Sequence, residues 1–173
     1  MKAVKRTGKR YNLTYRKKTA SDDPYLPRGA SKKSALCGDC GAVYRNKRWY
    51  ADEGMTAEVR KDPETKQTVC PGCRKIRDNF AGGIVTLRGD FILEHKQDLM
   101  NLIKNEEERA RGFNPLERII SVKENGSGNI VVSTTNEKMA QRIGKAVKKA
   151  FSGDVAYHWS HDNKLIRVEW VRE

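Results

Sequence analysis

The sequence has no hydrophobic run long enough to cross a membrane. Hydrophobic residues make up 37% of the 173 residues, and none of their runs approaches the roughly 18 residues that a membrane-spanning helix requires. The N-terminal residues also lack the apolar core of a secretory signal peptide. These absences predict a cytoplasmic protein that has no membrane partner.

Residue sets typical of enzymes are missing as well. Gly82 and Gly83 form a glycine pair, but no Gly-Lys-Ser/Thr follows at the spacing of a phosphate-binding loop. Of the three histidines, His158 and His161 have no carboxylate–serine or cysteine companion nearby, and His95 suits a packed or surface position. We therefore expect a protein without catalysis of its own and without a small-molecule substrate.

Acidic residues are scarce relative to basic ones. The chain has 35 Lys and Arg against 22 Asp and Glu, which gives a net charge of +13 and an isoelectric point near 9.7. A basic excess of this size on a short chain usually accompanies a polyanionic partner, most often a nucleic acid. The alternative is a soluble protein that is basic without such a partner.

The basic excess is concentrated at the N-terminus. Residues 1–34 carry eleven Lys and Arg against Asp22 and Asp23, and Pro24 and Pro27 interrupt any regular element. Such a tail buries too little apolar surface to offset its conformational entropy, so we expect it to be disordered alone and to order on RNA. A solvated tail that binds anions without selectivity is the alternative.

The tail combines cations for phosphate groups with tyrosines for stacking on unpaired bases. Its candidate RNA-binding residues are Lys5, Arg6, Lys9, Arg10, Tyr11, Tyr15, Arg16, Lys17 and Lys18.

Only four cysteines are present, and they form two Cys-x-x-Cys pairs, Cys37 with Cys40 and Cys70 with Cys73. Four thiolates at this spacing are typical of a structural zinc ion in a reducing compartment. The 29 residues between the pairs exceed the about 15–20 of a usual zinc ribbon. Two disulfides would need an oxidising compartment, and a thioredoxin-like redox centre would use one such pair within a βαβ pattern. We predict one structural Zn²⁺ whose four thiolates leave no open coordination position.

The predicted zinc-binding module covers residues 35–88. Residues 42–44 and 48–50 are expected to form a hairpin, and residues 52–68 an extended polar loop. Residues 84–87 are predicted to form a short apolar strand at the end of this module.

Basic and aromatic side chains surround the two cysteine pairs. The candidate RNA-binding cations of this module are Arg45, Lys47, Arg48, Arg74, Lys75 and Arg77. Tyr44 and Trp49 suit either stacking on nucleobases or packing as the miniature core of the module. The core role is the commoner one beside a small zinc site.

A connecting helix is predicted over residues 89–114. Asp90 is a candidate N-cap, and Leu99, Leu102 and Ile103 fall on one side of the helix.

Residues 115–173 are predicted to form a C-terminal ββαββ unit. Its strands are expected at residues 119–122, 130–133, 155–159 and 165–170. A capping box of Thr134 and Glu137 opens a helix that runs to Phe151. One helix on a four-stranded, mainly antiparallel sheet satisfies these patterns. The predicted fold class is therefore α+β, with a zinc-ribbon-like module, a connecting helix and a ββαββ unit behind the basic tail.

Four cations align along the helix of the ββαββ unit. Their spacing of four, three and four residues places them in one row along the helix axis. They are Lys138, Arg142, Lys145 and Lys149. Like charges at this spacing repel by a few tenths of a kcal/mol per pair, a cost that an adjacent phosphate backbone removes. We include the row among the RNA-binding candidates, with a solvated helix face as an equally supported alternative.

Two parts of the sequence resemble known proteins. Cys37-Gly38-Asp39-Cys40, Cys70-Pro71-Gly72-Cys73-Arg74 and Val85-Thr86-Leu87 are similar to the zinc-bearing N-terminal part of the adaptors that accompany the large ribosomal subunit during export. Those adaptors occur in eukaryotes and have archaeal relatives. Thr134-Thr135, Ala140-Gln141-Arg142-Ile143-Gly144 and Arg167-Val168-Glu169-Trp170 are similar to small bacterial proteins described as relatives of that family.

The resemblance to the bacterial proteins spans residues 35–172, whereas the likeness to the adaptors is confined mainly to the cysteine module. The chain is far shorter than an export adaptor, and we expect none of the adaptors' further domains, so a nuclear export role does not carry over. The resemblance implies association with ribosomal RNA or the ribosome, in subunit maturation, hibernation or rescue. It assigns the metal role to the four cysteines alone. The competing interpretations are a DNA-binding zinc-ribbon transcription regulator, a nucleotide hydrolase and a protein-interaction module.

Overall fold

The structure is a computed structural model that describes residues 23–26, 33–126, 128–160 and 165–173. Within these ranges the chain forms four helices and two sheets. The mixed α+β class that the sequence predicts is confirmed. Among the described helices, none is both long enough and apolar enough to cross a membrane.

The first sheet carries the first cysteine pair and has the strand order β3–β2–β1–β4. Its strands are β1 (Ala35–Cys37), β2 (Val43–Arg45), β3 (Arg48–Tyr50) and β4 (Lys66–Thr68). β2 and β3 pair antiparallel, so the predicted hairpin is confirmed. Its two turn residues, Asn46 and Lys47, have φ values of 51° and 67°, as in the tight turns that match the twist of a hairpin. β4 runs parallel to β1.

The prediction of an extended loop over residues 52–68 is wrong. This stretch contains helix α1 (Glu53–Lys61), which is followed by β4. The Asp52 carboxylate caps α1 by accepting a hydrogen bond from the Met55 N–H at 2.7 Å. Met55 and Val59 lie one turn apart and pack against one face of the first sheet. Two apolar residues in a polar segment are too weak a periodic signal to predict a helix.

The second sheet has five strands in the order β6–β7–β5–β9–β8. These are β5 (Gly83–Arg88), β6 (Ile119–Glu124), β7 (Ile130–Thr134), β8 (Asp154–Trp159) and β9 (Ile166–Val171). β5 and β9 run parallel, whereas the other neighbouring strands run antiparallel.

The sequence predicts a four-stranded sheet for the C-terminal unit. The structure has five strands there, and the one that the prediction omits, β5, is the central strand. β5, which the sequence interpretation assigned to the zinc-binding module, lies between β7 and β9 in the second sheet, and Val85 and Leu87 are fully buried there. This position pairs both edges of β5 and satisfies its backbone groups. An alternating pattern shows that a strand has a buried face, but it does not show which strands flank it.

The remaining helices are α2 (Pro71–Arg77), α3 (Phe91–Phe113) and α4 (Glu137–Phe151). α3 and α4 bury Leu99, Ile103 and Ile143 in one core with β9 Trp170. α4 approaches β5 closely because Gly83 has no side chain. A Cβ at Gly83 would lie 2.5 Å from the Cβ of Ala140.

Asp90 occupies the N-cap position of α3, as predicted, whereas the predicted cap of α4 is wrong. Asp90 makes no side-chain capping bond at the start of α3. α4 is capped by Asn136, whose side-chain oxygen accepts a hydrogen bond from the Met139 N–H at 2.9 Å. Thr134 instead is the last residue of β7 and is buried, two residues before the Asn136 cap.

Candidate metal centre and nucleic-acid interface

The four cysteine sulfurs converge on one point. The Sγ atoms of Cys37, Cys40, Cys70 and Cys73 all lie within 4.8 Å of one another, and those of Cys40 and Cys70 are 3.7 Å apart. A tetrahedral ion with metal–sulfur bonds of about 2.3 Å separates its sulfurs by about 3.8 Å. A disulfide needs an S–S distance of about 2.05 Å, and all four cysteines are free. The cysteines are therefore positioned to coordinate one metal ion.

Different backbone elements hold the two pairs. Cys37 is the last residue of β1, and its carbonyl accepts a hydrogen bond from the Gly41 N–H at 3.0 Å. Gly41 has a φ of +72°, a conformation that glycine adopts without strain. Cys70 is the N-cap of α2, Pro71 occupies the first helical turn, and Cys73 follows in the same turn. The second pair thus begins a helix, which the sequence did not predict.

Backbone amides and burial set the electrostatics of the cluster. The Cys70 N–H donates to Cys37 Sγ at 3.3 Å, and the Cys73 N–H donates to Cys70 Sγ at 3.4 Å. A hydrogen bond from the Cys70 thiol lowers the pKa of Cys40 to about 5. The same bond and burial raise the pKa of Cys70, and burial raises the pKa of Cys73 to about 12. Because a metal ion binds thiolates, its binding must release the protons that these sulfurs hold.

A small apolar shell encloses the cysteines. Ala42, Trp49, Val69 and Leu116 pack against them. Trp49 therefore has the core role that the sequence interpretation favoured, and its ring lies 5.3 Å from that of Tyr44. Leu116 lies shortly before β6. A Cβ at Gly72 would lie 3.2 Å from the Leu116 Cα, so the cysteine cluster packs directly against the entry to the second sheet.

The predicted RNA-binding cations near the cysteines are exposed with one exception. The exposed ones are Arg45, Lys47, Arg48, Arg74 and Arg77. Two of them form ion pairs, Arg45 with Glu58 at 3.3 Å and Arg77 with Asp39 at 2.6 Å. Exposed ion pairs of this kind are weak, so each arginine can exchange its carboxylate partner for a phosphate group.

Lys75 is the exception, because it is only 7% exposed. Its ammonium group donates to the Asp23 carboxylate at 2.5 Å and to the Thr135 carbonyl at 3.0 Å. Both interactions hold the Lys75 ammonium group inside the protein, where a phosphate group cannot reach it. This corrects the sequence interpretation of Lys75 as an RNA-binding residue.

Two residues of the predicted basic tail, Asp23 and Tyr25, contact α2 and the residues just after it. The Tyr25 hydroxyl donates to the Asp78 carboxylate at 2.7 Å, and its ring lies 5.0 Å from that of Phe80. The Arg74 guanidinium donates to the Tyr25 carbonyl at 2.8 Å. Together with the Asp23–Lys75 pair, these contacts fix residues 23–26 on the surface.

The other RNA-binding candidates of the tail lie outside the described residues. They are Lys5, Arg6, Lys9, Arg10, Tyr11, Tyr15, Arg16, Lys17 and Lys18.

The predicted row of cations on α4 forms one wall of a groove between α3 and α4. This groove has a volume of about 830 Å³. Its cations are Arg109, Lys138, Arg142, Lys145 and Lys149. The structure therefore brings the four predicted α4 residues together and adds Arg109, which sequence periodicity did not single out because it lies on another helix.

Two buried acids lie in the same groove, Glu106 at 8% exposure and Glu117 at 6%. Glu106 lies 2.8 Å from Arg109 and 3.8 Å from Arg142. The three lysines of the row have no acidic oxygen within 4.0 Å among the described residues. The groove therefore keeps an excess of positive charge along α4.

No protein-family model, no curated protein and no solved structure matches this chain. The chemistry of the site consequently follows from its own geometry. Four sulfur ligands surround one position for a metal ion, and basic surfaces lie beside it and along α4.

Proposed function

We propose that this chain is a zinc-stabilised RNA-binding protein that associates with the ribosome or ribosomal RNA. Subunit maturation, hibernation or rescue is the proposed setting, and the proposal assigns the chain no catalysis of its own. The resemblance of the cysteine pairs to the ribosomal adaptors supports the choice of partner. The basic groove between α3 and α4 supports the choice of RNA.

The proposed ion is a single structural Zn²⁺. The four cysteine sulfurs lie within 4.8 Å of one another, and four thiolates are the usual ligand set of structural zinc. Four protein ligands leave no position for a substrate or an activated water. The ion would join β1 to the start of α2 and thereby hold the first sheet against the entry to the second.

The observation that carries the RNA proposal is the position of the α4 cations. A DNA-recognition helix usually protrudes so that it can enter the major groove. The α4 row lies instead along a groove about 830 Å³ in volume, beside α3. A concave basic surface fits the backbone of a single-stranded or looped RNA. This geometry favours RNA over the alternative of a DNA-binding zinc-ribbon regulator.

Lysine substitutions on α4 test the proposal. Lys149 lines the groove, whereas its exposed neighbour Lys148 does not. Lys149→Ala should weaken binding to ribosomal subunits and lower the slope of log affinity against log salt concentration by about 1, because one phosphate contact is lost. Lys148→Ala removes the same charge from the same helix turn and should have a smaller effect.

Co-sedimentation with purified subunits at low and high salt, and filter binding to ribosomal RNA, measure both effects. Equal losses of affinity in the two variants would show that only net charge matters and would refute the groove as the RNA-binding site. Tighter binding to duplex DNA than to structured RNA at matched salt would support the DNA-binding alternative. Failure to bind ribosomes even at low salt would contradict the proposed function as a whole.

A further inference from the structure

A second basic surface lies on the face of the first sheet that α1 does not cover. We call it the aromatic hollow and define it by Ala35, Tyr44, Trp49, Lys66 and Arg74. Its volume is about 220 Å³, which is below the range of about 300–1,000 Å³ for pockets that hold a whole drug-sized ligand. The aromatic hollow is therefore suited to one planar ring system.

Strand register creates the aromatic hollow. Ala35 pairs with Lys66 of β4 on one side and with Tyr44 of β2 on the other, and Tyr44 pairs with Trp49 of β3. Directly paired residues point to the same face of a sheet. The four side chains thus form one row across the sheet, and the small Ala35 leaves a depression between the lysine and the two aromatic rings.

The charge around the aromatic hollow has one sign. Lys66 and Arg74 are exposed at its rim, and none of the described residues that line it is acidic. Arg74 donates one hydrogen bond to the Tyr25 carbonyl, and its guanidinium has five N–H donors in all. Aromatic rings beside such cations match a base with its flanking phosphate.

We propose that the aromatic hollow binds one unpaired nucleobase of RNA, stacked against Trp49, with Lys66 and Arg74 at the adjoining phosphate. This inference rests on the proposed RNA-binding function and specifies the part of the RNA that is recognised. Bases inside a duplex cannot enter the hollow, because their faces are covered by neighbouring bases. The ligand is therefore a bulged, looped or terminal nucleotide.

Filling the hollow tests the inference directly. Trp49 is unsuitable for this purpose because it also packs against the cysteines. Ala35→Val adds two methyl groups at the bottom of the hollow and places a good strand former in β1. The probes are an RNA hairpin with one bulged purine and the same hairpin fully paired. The variant should bind the bulged hairpin about tenfold more weakly than the wild type does, and the paired hairpin equally well.

Lys66→Ala provides a second measurement that does not depend on how well the valine packs. Its matched control is Lys61→Ala, which removes the same charge from α1 on the opposite face of the sheet. Lys66→Ala should reduce the preference for the bulged hairpin over the paired one, and Lys61→Ala should leave it unchanged. Metal content and the thermal melt are recorded for each variant.

The outcomes separate this inference from the proposed function. If Ala35→Val keeps the wild-type preference for the bulged hairpin, or if Lys61→Ala lowers it as much as Lys66→Ala does, the hollow is not a base site. The same result is expected if the hollow holds a side chain of a protein partner, and it also overturns the inference. The proposed function survives either result as long as Lys149→Ala still weakens ribosome binding.

Discussion

Replacing Lys75 by methionine should destabilise the metal-loaded protein substantially. Lys75 is 7% exposed, and its ammonium group is bonded to the Asp23 carboxylate and the Thr135 carbonyl. Methionine keeps most of the side-chain volume but removes the charge and the donor hydrogens. Asp23 is then left as a largely buried carboxylate without this partner, and the Thr135 carbonyl loses a hydrogen bond.

The size of the effect follows from the burial of the pair. Removing one partner of a fully buried ion pair costs about 3–5 kcal/mol. The Asp23 side chain retains 18% exposure, so water recovers part of its hydration, and the apolar methionine offsets a further part. We expect a loss of about 2 kcal/mol in the free energy of unfolding, which lowers the Tm of a chain of this length by about 4–8 °C.

Urea unfolding followed by circular dichroism measures the loss, with Zn²⁺ kept saturating so that metal binding contributes equally to every variant. Lys61→Met is the control, because Lys61 is exposed at the end of α1 and its substitution should change stability by less than about 0.5 kcal/mol. A double-mutant cycle with Asp23→Asn isolates the pair and should give a coupling energy of about 1–2 kcal/mol. A coupling below about 0.5 kcal/mol would show that the ion pair does not hold residue 23 on α2.

Two further substitutions test the packing and the metal centre. Gly83→Ala places a Cβ 2.5 Å from that of Ala140 and should lower the free energy of unfolding in urea by about 1–3 kcal/mol. Gly112→Ala is the control, because a Cβ at Gly112 meets nothing within 4 Å. Equal effects of the two substitutions would refute the close contact between β5 and α4. Cys37→Ser should abolish stoichiometric metal binding and the cooperative unfolding of the first sheet. Native mass spectrometry measures the metal, and one ion per chain with an unchanged melt would contradict this prediction.

The features that the sequence predicts well depend on residues close together in the chain. The spacing within each Cys-x-x-Cys pair predicts a four-sulfur cluster, and the structure places the four Sγ atoms within 4.8 Å. The hairpin of β2 and β3 follows from two short apolar runs around a polar turn. The helical spacing of the α4 cations predicts one row, and the structure puts that row along one groove.

The features that the sequence does not predict depend on contacts between distant residues. Lys75 is 52 residues from Asp23 and 60 from Thr135. Nothing in the sequence near Lys75 therefore indicates that it is buried, and it resembles the exposed cations around it. β5 has the composition of a short strand, but its neighbours β7 and β9 follow it by tens of residues. The choice of Asn136 rather than Thr134 as the cap of α4 depends on where β7 ends, because both residues are good caps.

The short helix α2 connects the metal centre with most of the other features. Its N-terminus carries Cys70 and Cys73, Arg74 borders the aromatic hollow, and Lys75 bonds to Asp23 and to the turn before α4. Seven residues are too few to form a stable helix in isolation, so we expect α2 to depend on the proposed metal at one end and on Lys75 at the other. The core of the second sheet has its own buried cluster, which contains no cysteine, and we expect it not to share this dependence. Removing the metal with a chelator should therefore increase amide hydrogen exchange in α2 and β1 while β5 and β9 remain protected. Equal loss of protection in β5 and β9 would show that the two sheets unfold as one unit and that the metal stabilises the whole chain.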